Sequence, residues 1–252
     1  MSGSIVSSKI VTNGLVLYLD AVNTLSYPKT GNTWYDLTTN GFIGQLNNTP
    51  LFVTTGGTSF SFDGTNENVN LGNLSSLSFT SGTFSVEIWV NVPSSWSGPA
   101  NINQYPNLIS KGANAGWDTN GWSLHCFRGV LSSDPKVIGL GIKNGSNLVT
   151  SSTQITLENT DLDRFICVSV TMDLTSIKIF KNGILNKTVT SLTSPLGNPL
   201  VGPAENSSNV VIASGPSSQY FPGKISNIKL YDRKLSDSEV LQNYNSTKVR
   251  YI

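Results

Sequence analysis

Apolar residues recur at every second position in short segments along most of this chain, and few windows carry the three-to-four spacing of a helix. Alternating segments at 14–19, 59–62, 68–71, 84–92, 107–111, 121–127, 137–143, 165–172, 208–213 and 224–231 predict β-strands. Turn dipeptides punctuate them: Asn-Gly at 13–14, 40–41, 120–121, 144–145 and 182–183, and Asp63-Gly64. Such pairs favour the left-handed backbone of tight hairpins. The clearest hairpin joins 176–181 to 184–189 around Asn182-Gly183. Regular spacing without intervening helical periodicity predicts one all-β sandwich, since all-β folds reach this length as one domain.

One helix interrupts the pattern. Ser236-Asp-Ser-Glu239 has the form of a capping box, and Val240, Leu241 and Tyr244 supply a short apolar stripe toward the sandwich, ending near Asn245. Residues 93–106 and 194–209 read as long loops, a length more often functional than idle.

Composition narrows the function. The 252 residues include 27 Asn, 35 Ser and 24 Thr, while charged residues make up only 12%. That is about half the usual charged fraction. Hydrophobic content of 38% supports a sizeable core. A formal net charge of +1 gives no field for gripping phosphates, so nucleic acid is not an expected partner. A single histidine excludes sites needing several imidazoles, such as the usual catalytic zinc sets. Residues 1–11 lack the basic and apolar regions of a signal peptide, and the longest apolar run, 15–19, is far short of a membrane span. The expectation is a soluble chain without membrane insertion, either released without a signal or built into something assembled in the cytosol.

Strand phase bears on the cysteines. Cys126 falls in phase with Trp122 and Leu124, facing inward, whereas Cys167 falls opposite the inward set Ile166, Val168 and Val170. Two free thiols on different faces follow. His125, beside Cys126, points to the opposite face from it and reads as a sheet-surface imidazole rather than a partner for thiol chemistry.

Several segments together resemble a known family: Gly14-Leu-Val-Leu-Tyr-Leu-Asp20, Thr33-Trp-Tyr-Asp-Leu37, Phe62-Asp-Gly-Thr-Asn66, Phe84-Ser-Val-Glu-Ile-Trp-Val90 and Leu108-Ile-Ser-Lys-Gly112. Ile177-Lys-Ile-Phe-Lys-Asn-Gly183 and the run from Gly223 to Ser236 continue the series. Their order and spacing resemble the concanavalin A-like, laminin-G-like domains related to pentraxins. The resemblance implies an all-β, two-sheet antiparallel jelly roll with one short C-terminal helix. It would span 14–252 as a single domain, preceded by an N-terminal arm at 1–13. Ligands of such domains, often carbohydrate and often with calcium, bind on the concave face or rim loops. The stretch from Tyr27 to Leu37 looks more particularly like stand-alone versions in bacteriophage tail, fibre and capsid-surface proteins.

Candidate chemistry is sparse. Hydrolases sharing this fold carry clustered acids resembling Glu-x-Asp-x-x-Glu, and glycoside hydrolysis needs two carboxylates flanking the bond. The five Glu, at 67, 87, 158, 205 and 239, form no such cluster, and Glu87 reads as a structural acceptor. Calcium is the ion best suited to this oxygen-rich chain. Asp36, Asp63, Asn66 and Glu67 lie at loop positions resembling those that bind calcium or brace turns in related domains. For sugar, the candidate platforms are the loop aromatics Trp96, Tyr105 and Trp117, with Asp118 and Asn120 as polar partners. A Trp117 that merely plugs the sandwich end would have the same sequence. Trp34, Trp89 and Trp122 read as core.

These readings lead to a non-catalytic virion surface protein on a phage tail, fibre or capsid. Its expected partners are other virion proteins, host surface glycans and further copies of itself. The alternative is a cellular or secreted carbohydrate-binding module, located outside the cell; a glycan-cleaving enzyme ranks last.

Overall fold

The computed structural model describes residues 9–96, 106–112, 119–128, 135–149, 153–192, 195, 197–215 and 219–251. Strands numbered in chain order build two antiparallel sheets packed face to face. The eight-stranded sheet holds β1 (Leu15–Asp20), β4 (Leu51–Val53), β5 (Ser59–Asp63) and β7 (Phe84–Asn91). It is completed by β13 (Phe165–Met172), β14 (Ile177–Lys181), β15 (Ile184–Val189) and β19 (Pro222–Tyr231). Its order is β15-β14-β13-β7-β19-β5-β4, with β1 also against β19.

The nine-stranded sheet holds β2 (Thr33–Tyr35), β3 (Ile43–Asn47), β6 (Asn68–Asn70), β8 (Asn107–Gly112) and β9 (Gly121–Arg128). β10 (Lys136–Asn144), β11 (Asn147–Val149), β12 (Gln154–Thr156) and β16 (Val210–Ile212) complete it. Its order is β11-β10-β9-β8-β16-β6-β3-β2, with β12 also on β10. A two-stranded ribbon, β17 (Ser214–Gly215) and β18 (Gln219–Tyr220), stands apart. The architecture is the expected concanavalin A-like sandwich.

Alternation explains the core. One rung of the nine-stranded sheet runs through the register-paired Leu46, Val69, Ile212, Ile109, Leu124 and Leu140, all buried inward. Val86, Ile88 and Val90 on β7, paired with Val170, Val168 and Ile166 on β13, close the core from the other sheet. Each fully buried aliphatic side chain contributes about 1.5–3 kcal/mol. At the β14–β15 turn, Asn182 and Gly183 both take positive φ, 53° and 77°, as a tight hairpin requires. Cys126 lies in the core and Cys167 on the opposite face of its sheet with Trp89 and Phe165, and both thiols are free.

The helix α1 (Asp237–Thr247) starts at the expected box: Ser236 Oγ accepts the Glu239 N–H at 3.3 Å, and Glu239 Oε2 accepts the Ser236 N–H at 2.9 Å. Its buried face differs from the expected stripe. Val240 is buried and Tyr244 stacks 5.7 Å from Trp89, but Leu241 is 44% exposed. The other buried positions are Thr247 and Asn243, whose Nδ2 donates to Tyr231 Oη and whose Oδ1 accepts the Val11 N–H. An amide that ties three elements together takes the place an apolar contact was expected to fill. Beyond α1, Tyr251 stacks 4.1 Å from Trp89, and Arg250 Nη1 meets Asp20 Oδ2 at 2.7 Å. Lys9 and Val11, assigned to the arm, are hydrogen-bonded to α1 and β19.

This C-terminal cover lies over the outer face of the eight-stranded sheet. Beneath it Glu87 and Lys229, both fully buried, pair at 2.7 Å across adjacent strands. Among the described residues no helix is long and apolar enough to cross a membrane. On the nine-stranded sheet the outward residues Tyr35, Ile43 and Gln45 are exposed, whereas Ser110, Ser123 and His125 are buried.

Candidate functional site

The outward phase of the nine-stranded sheet is largely polar or small along its central rung. Register pairing lines up Thr33, Gln45, Asn70, Val211, Ser110, Ser123 and Gly141 as one rung across β2, β3, β6, β16, β8, β9 and β10. Exposure grades along it: Gln45 is exposed, Asn70 and Val211 are half-buried, and Ser110 and Ser123 are buried. Where the rung begins to sink, a groove of about 300 Å³ opens, lined by Asn47, Asn68, Asn70, Ser110, Gly112, Ser208, Asn209, Val211 and Ser214. Among the described residues that line it, no side chain is ionisable.

Local hydrogen bonds fix these groups. Asn47 Nδ2 donates to Asn68 Oδ1 at 2.9 Å, and Asn70 Oδ1 accepts the Gly72 N–H at 2.8 Å. The Asn70 amide is thereby oriented with its Nδ2 left as a donor. From behind the groove wall, the buried Lys111 donates from Nζ to Asn73 Oδ1 at 2.7 Å and to Ser208 O at 2.9 Å. Burial lowers the Lys111 pKa, and the charge of Glu205 opposes that effect. Asn206 Oδ1 accepts the Ser208 N–H, so the wall is a braced turn. Gly112 and Gly121 allow β8 and β9 to close at the groove's end, because a Cβ on Gly121 would lie 1.9 Å from Lys111 O.

Further along the same face lies His125, paired in register with Asn107 and Gly139. The imidazole faces away from Cys126 as expected. It is not a surface group, however: it is 2% exposed, and burial pushes its pKa down to about 4. Asn107 Nδ2, equally buried, has no hydrogen-bond partner among the described residues.

The expected site residues scatter. Tyr105, Trp117 and Asp118 lie outside the described residues. Trp96 is half-buried against the main core, its ring edge-on to Phe221 at 6.5 Å, and it does not line the groove. Asn120 Oδ1 accepts the Gly145 N–H and braces that turn. Trp34, Trp89 and Trp122 are buried, Trp89 beneath the C-terminal cover and the others in the core.

The proposed calcium ligands do not gather into one oxygen shell. Asp36, after β2, accepts the N–H groups of Tyr18 and Thr38 on Oδ1 and the Thr38 hydroxyl on Oδ2. Asp63 Oδ1 accepts the Thr65 and Asn66 N–H groups, and Glu67 Oε2 accepts the Asp63 N–H. Burial acts to raise the Asp63 pKa, but those N–H groups outweigh it and hold the group below its ordinary value. Among the described residues no three His, Cys, Asp or Glu side chains cluster. These donors brace their own turns and do not fit the six to eight oxygens calcium takes.

Groove residues such as Asn68, Asn70 and Ser110 were missed by a reading that looked for loop aromatics. Their sequence signal is an outward strand phase filled with amides and hydroxyls, as in Asn68-Val69-Asn70.

A family model described as the concanavalin A-like lectin/glucanases superfamily matches residues 63–241. Comparison with curated protein sequences gives no significant match. Solved structures share the fold. Domain 4 of an extracellular arabinanase from Geobacillus stearothermophilus, in complex with arabinotriose, aligns with a TM-score of 0.58 at 15% identity, covering 91% of this chain and 98% of that one. The binding domain of botulinum neurotoxin DC, in complex with SialylT, gives 0.64 at 14% identity, covering 92% and 51%. A Trypanosoma rangeli sialidase in complex with sialic acid gives 0.58 at 15% identity, covering 96% and 34%. This chain thus spans about half of the toxin domain and about a third of the sialidase.

Proposed function

The chain belongs to the concanavalin A-like lectin/glucanases superfamily, and from that premise we propose that it is a non-catalytic glycan-binding module using the groove on the nine-stranded sheet. One observation carries this reading: the described lining of the groove presents oriented amides beside serine hydroxyls and no ionisable side chain. Sugar hydroxyls both donate and accept hydrogen bonds, and fixed amides and hydroxyls answer both roles. The arabinotriose and SialylT complexes of the similar folds agree with it. Fold alone would not decide function.

The acids support the absence of catalysis. Glu87 is paired with Lys229, Glu205 accepts from Ser78 Oγ at 2.7 Å, Glu239 is held by Arg233, and Glu67 braces its own turn. Among the described residues no Glu or Asp lines the groove, so no flanking carboxylate pair stands there.

A glycan array probed in calcium and in EDTA tests the reading. Selective binding without release of reducing ends is expected; absence of binding across the array, or turnover of a bound glycan, contradicts it.

The finer reading places the module on a phage virion, assembled in the host cytosol, in contact with other virion proteins or further copies of itself. Its support is the stretch 27–37 and its resemblance to phage structural proteins. Mass spectrometry of purified particles from a host carrying the coding sequence should find the chain. Its absence from particles and presence in the medium would favour a secreted adhesion module instead.

A further inference from the structure

Resting on the glycan reading, we infer that the groove takes a neutral, extended oligosaccharide laid across the strands, with Tyr35 as the apolar platform at its open end. Three observations define the ligand class and its direction.

The first is charge. Along the described lining an acidic sugar would meet amides, hydroxyls and Val211 and no cation, and a desolvated carboxylate without a cation is costly. Lys111, on β8 beside Ser110, is fully buried in the opposite phase with its Nζ already bonded to Asn73 and Ser208. Lys143, in the outward phase of β10, pairs with Gly121 two strands beyond Gly112 and does not line the groove. A neutral sugar needs no such partner.

The second is direction. Thr33, Gln45, Asn70, Val211 and Ser110 follow one rung over five strands, which is exposed at Gln45 on β3, half-buried at Thr33, Asn70 and Val211, and buried at Ser110. Four strand spacings make the rung about 19 Å long. A ligand lying on it runs perpendicular to the strands and leaves at the β2 edge.

The third is an apolar pair at that edge. Tyr35 and Ile43 are register partners on the same outward face, 42% and 56% exposed, while their neighbours Trp34 and Gly44 face inward. Gly44 lacks a side chain because a Cβ there would stand 2.8 Å from Val69 Cγ1, so the inward position lets Trp34 and Val69 pack beneath the exposed pair. Tyr35 stands two strands and two residues from Asn70, a diagonal of about 12 Å. A monosaccharide cannot touch both; an oligosaccharide can, stacking its C–H face on the ring and bonding its hydroxyls to the amides.

The test is an affinity series with neutral gluco-, xylo- and arabino-oligosaccharides from one to six units, against oligogalacturonates of matched length. Affinity should rise with length for a neutral series and fall about tenfold or more for the acidic one. Tyr35→Ala should weaken the longest neutral ligand about tenfold, leave the shortest unchanged, and keep the melting temperature; Asn70→Ala should weaken every length. Preference for the acidic series, or an undiminished Tyr35→Ala alongside a weakened Asn70→Ala, overturns this inference while the glycan reading stands. If no oligosaccharide of any charge binds, the glycan reading itself fails, and this inference with it.

Discussion

His125 is the chain's one histidine, and its imidazole is buried on the outward face of β9 with a pKa near 4. In the unfolded chain the group titrates near 6.5. The folded value is the lower one, so the unfolded state takes up the proton first as pH falls. Stability present above about 6.5 is therefore lost on acidification and levels off below about 4. A single imidazole gives one NMR titration curve, which should have its midpoint near 4; a midpoint near 6.5 would show an exposed ring. Burial also raises both thiol pKa values. An aromatic disulfide reagent should leave Cys126 and Cys167 unmodified in the folded protein and label both after unfolding. Strand phase sent the two thiols and His125 to the correct faces, because alternation is a local property. It could not show that the outward imidazole is buried, because covering a face depends on distant segments.

Among the elements, β7 and β19 are joined by the Glu87–Lys229 pair, which also takes hydrogen bonds from Ser169 to Glu87 and from Lys229 to Asn227. Removing one partner leaves a buried charge, so Lys229→Met should cost about 3–5 kcal/mol in urea unfolding. Glu87→Leu combined with Lys229→Met should recover most of that loss; a double variant as unstable as the single would show that the pair itself stabilises the fold. The longer strands and the capped helix were legible from 2.0-residue alternation and the Ser236–Glu239 box. Strands β2, β4, β11 and β12 each span three residues and fall outside the alternating segments. That is too short for alternation to identify a strand alone, and their place is set by the ladders beside them. Leu241 was misplaced because a helical stripe does not reveal that an amide, Asn243, can fill a buried position when two elements satisfy it.

At the scale of the molecule, the two sheets are treated differently. One outer face is closed by α1 and the C-terminal residues, and the other keeps an open polar groove. The fold was readable because its core repeats one local rule in every strand. The groove was not, because Thr33, Gln45, Asn70, Val211 and Ser110 become neighbours only through register across five strands drawn from distant parts of the chain. Because the carboxylates of Asp36, Asp63 and Glu67 hold their own turns, EDTA should leave the melting temperature unchanged, whereas a drop would reveal a bound ion by mass action. The central claim is that glycan binds in the groove, and Val211→Lys tests it most directly. Val211 is half-buried in the groove on the outward face, where a lysine stem can lie along the surface with its head in water. The glycan bound by the parent chain should be lost from this variant, with a melting temperature shifted by no more than about 2–4 °C. Undiminished glycan binding by a folded Val211→Lys protein would contradict the claim.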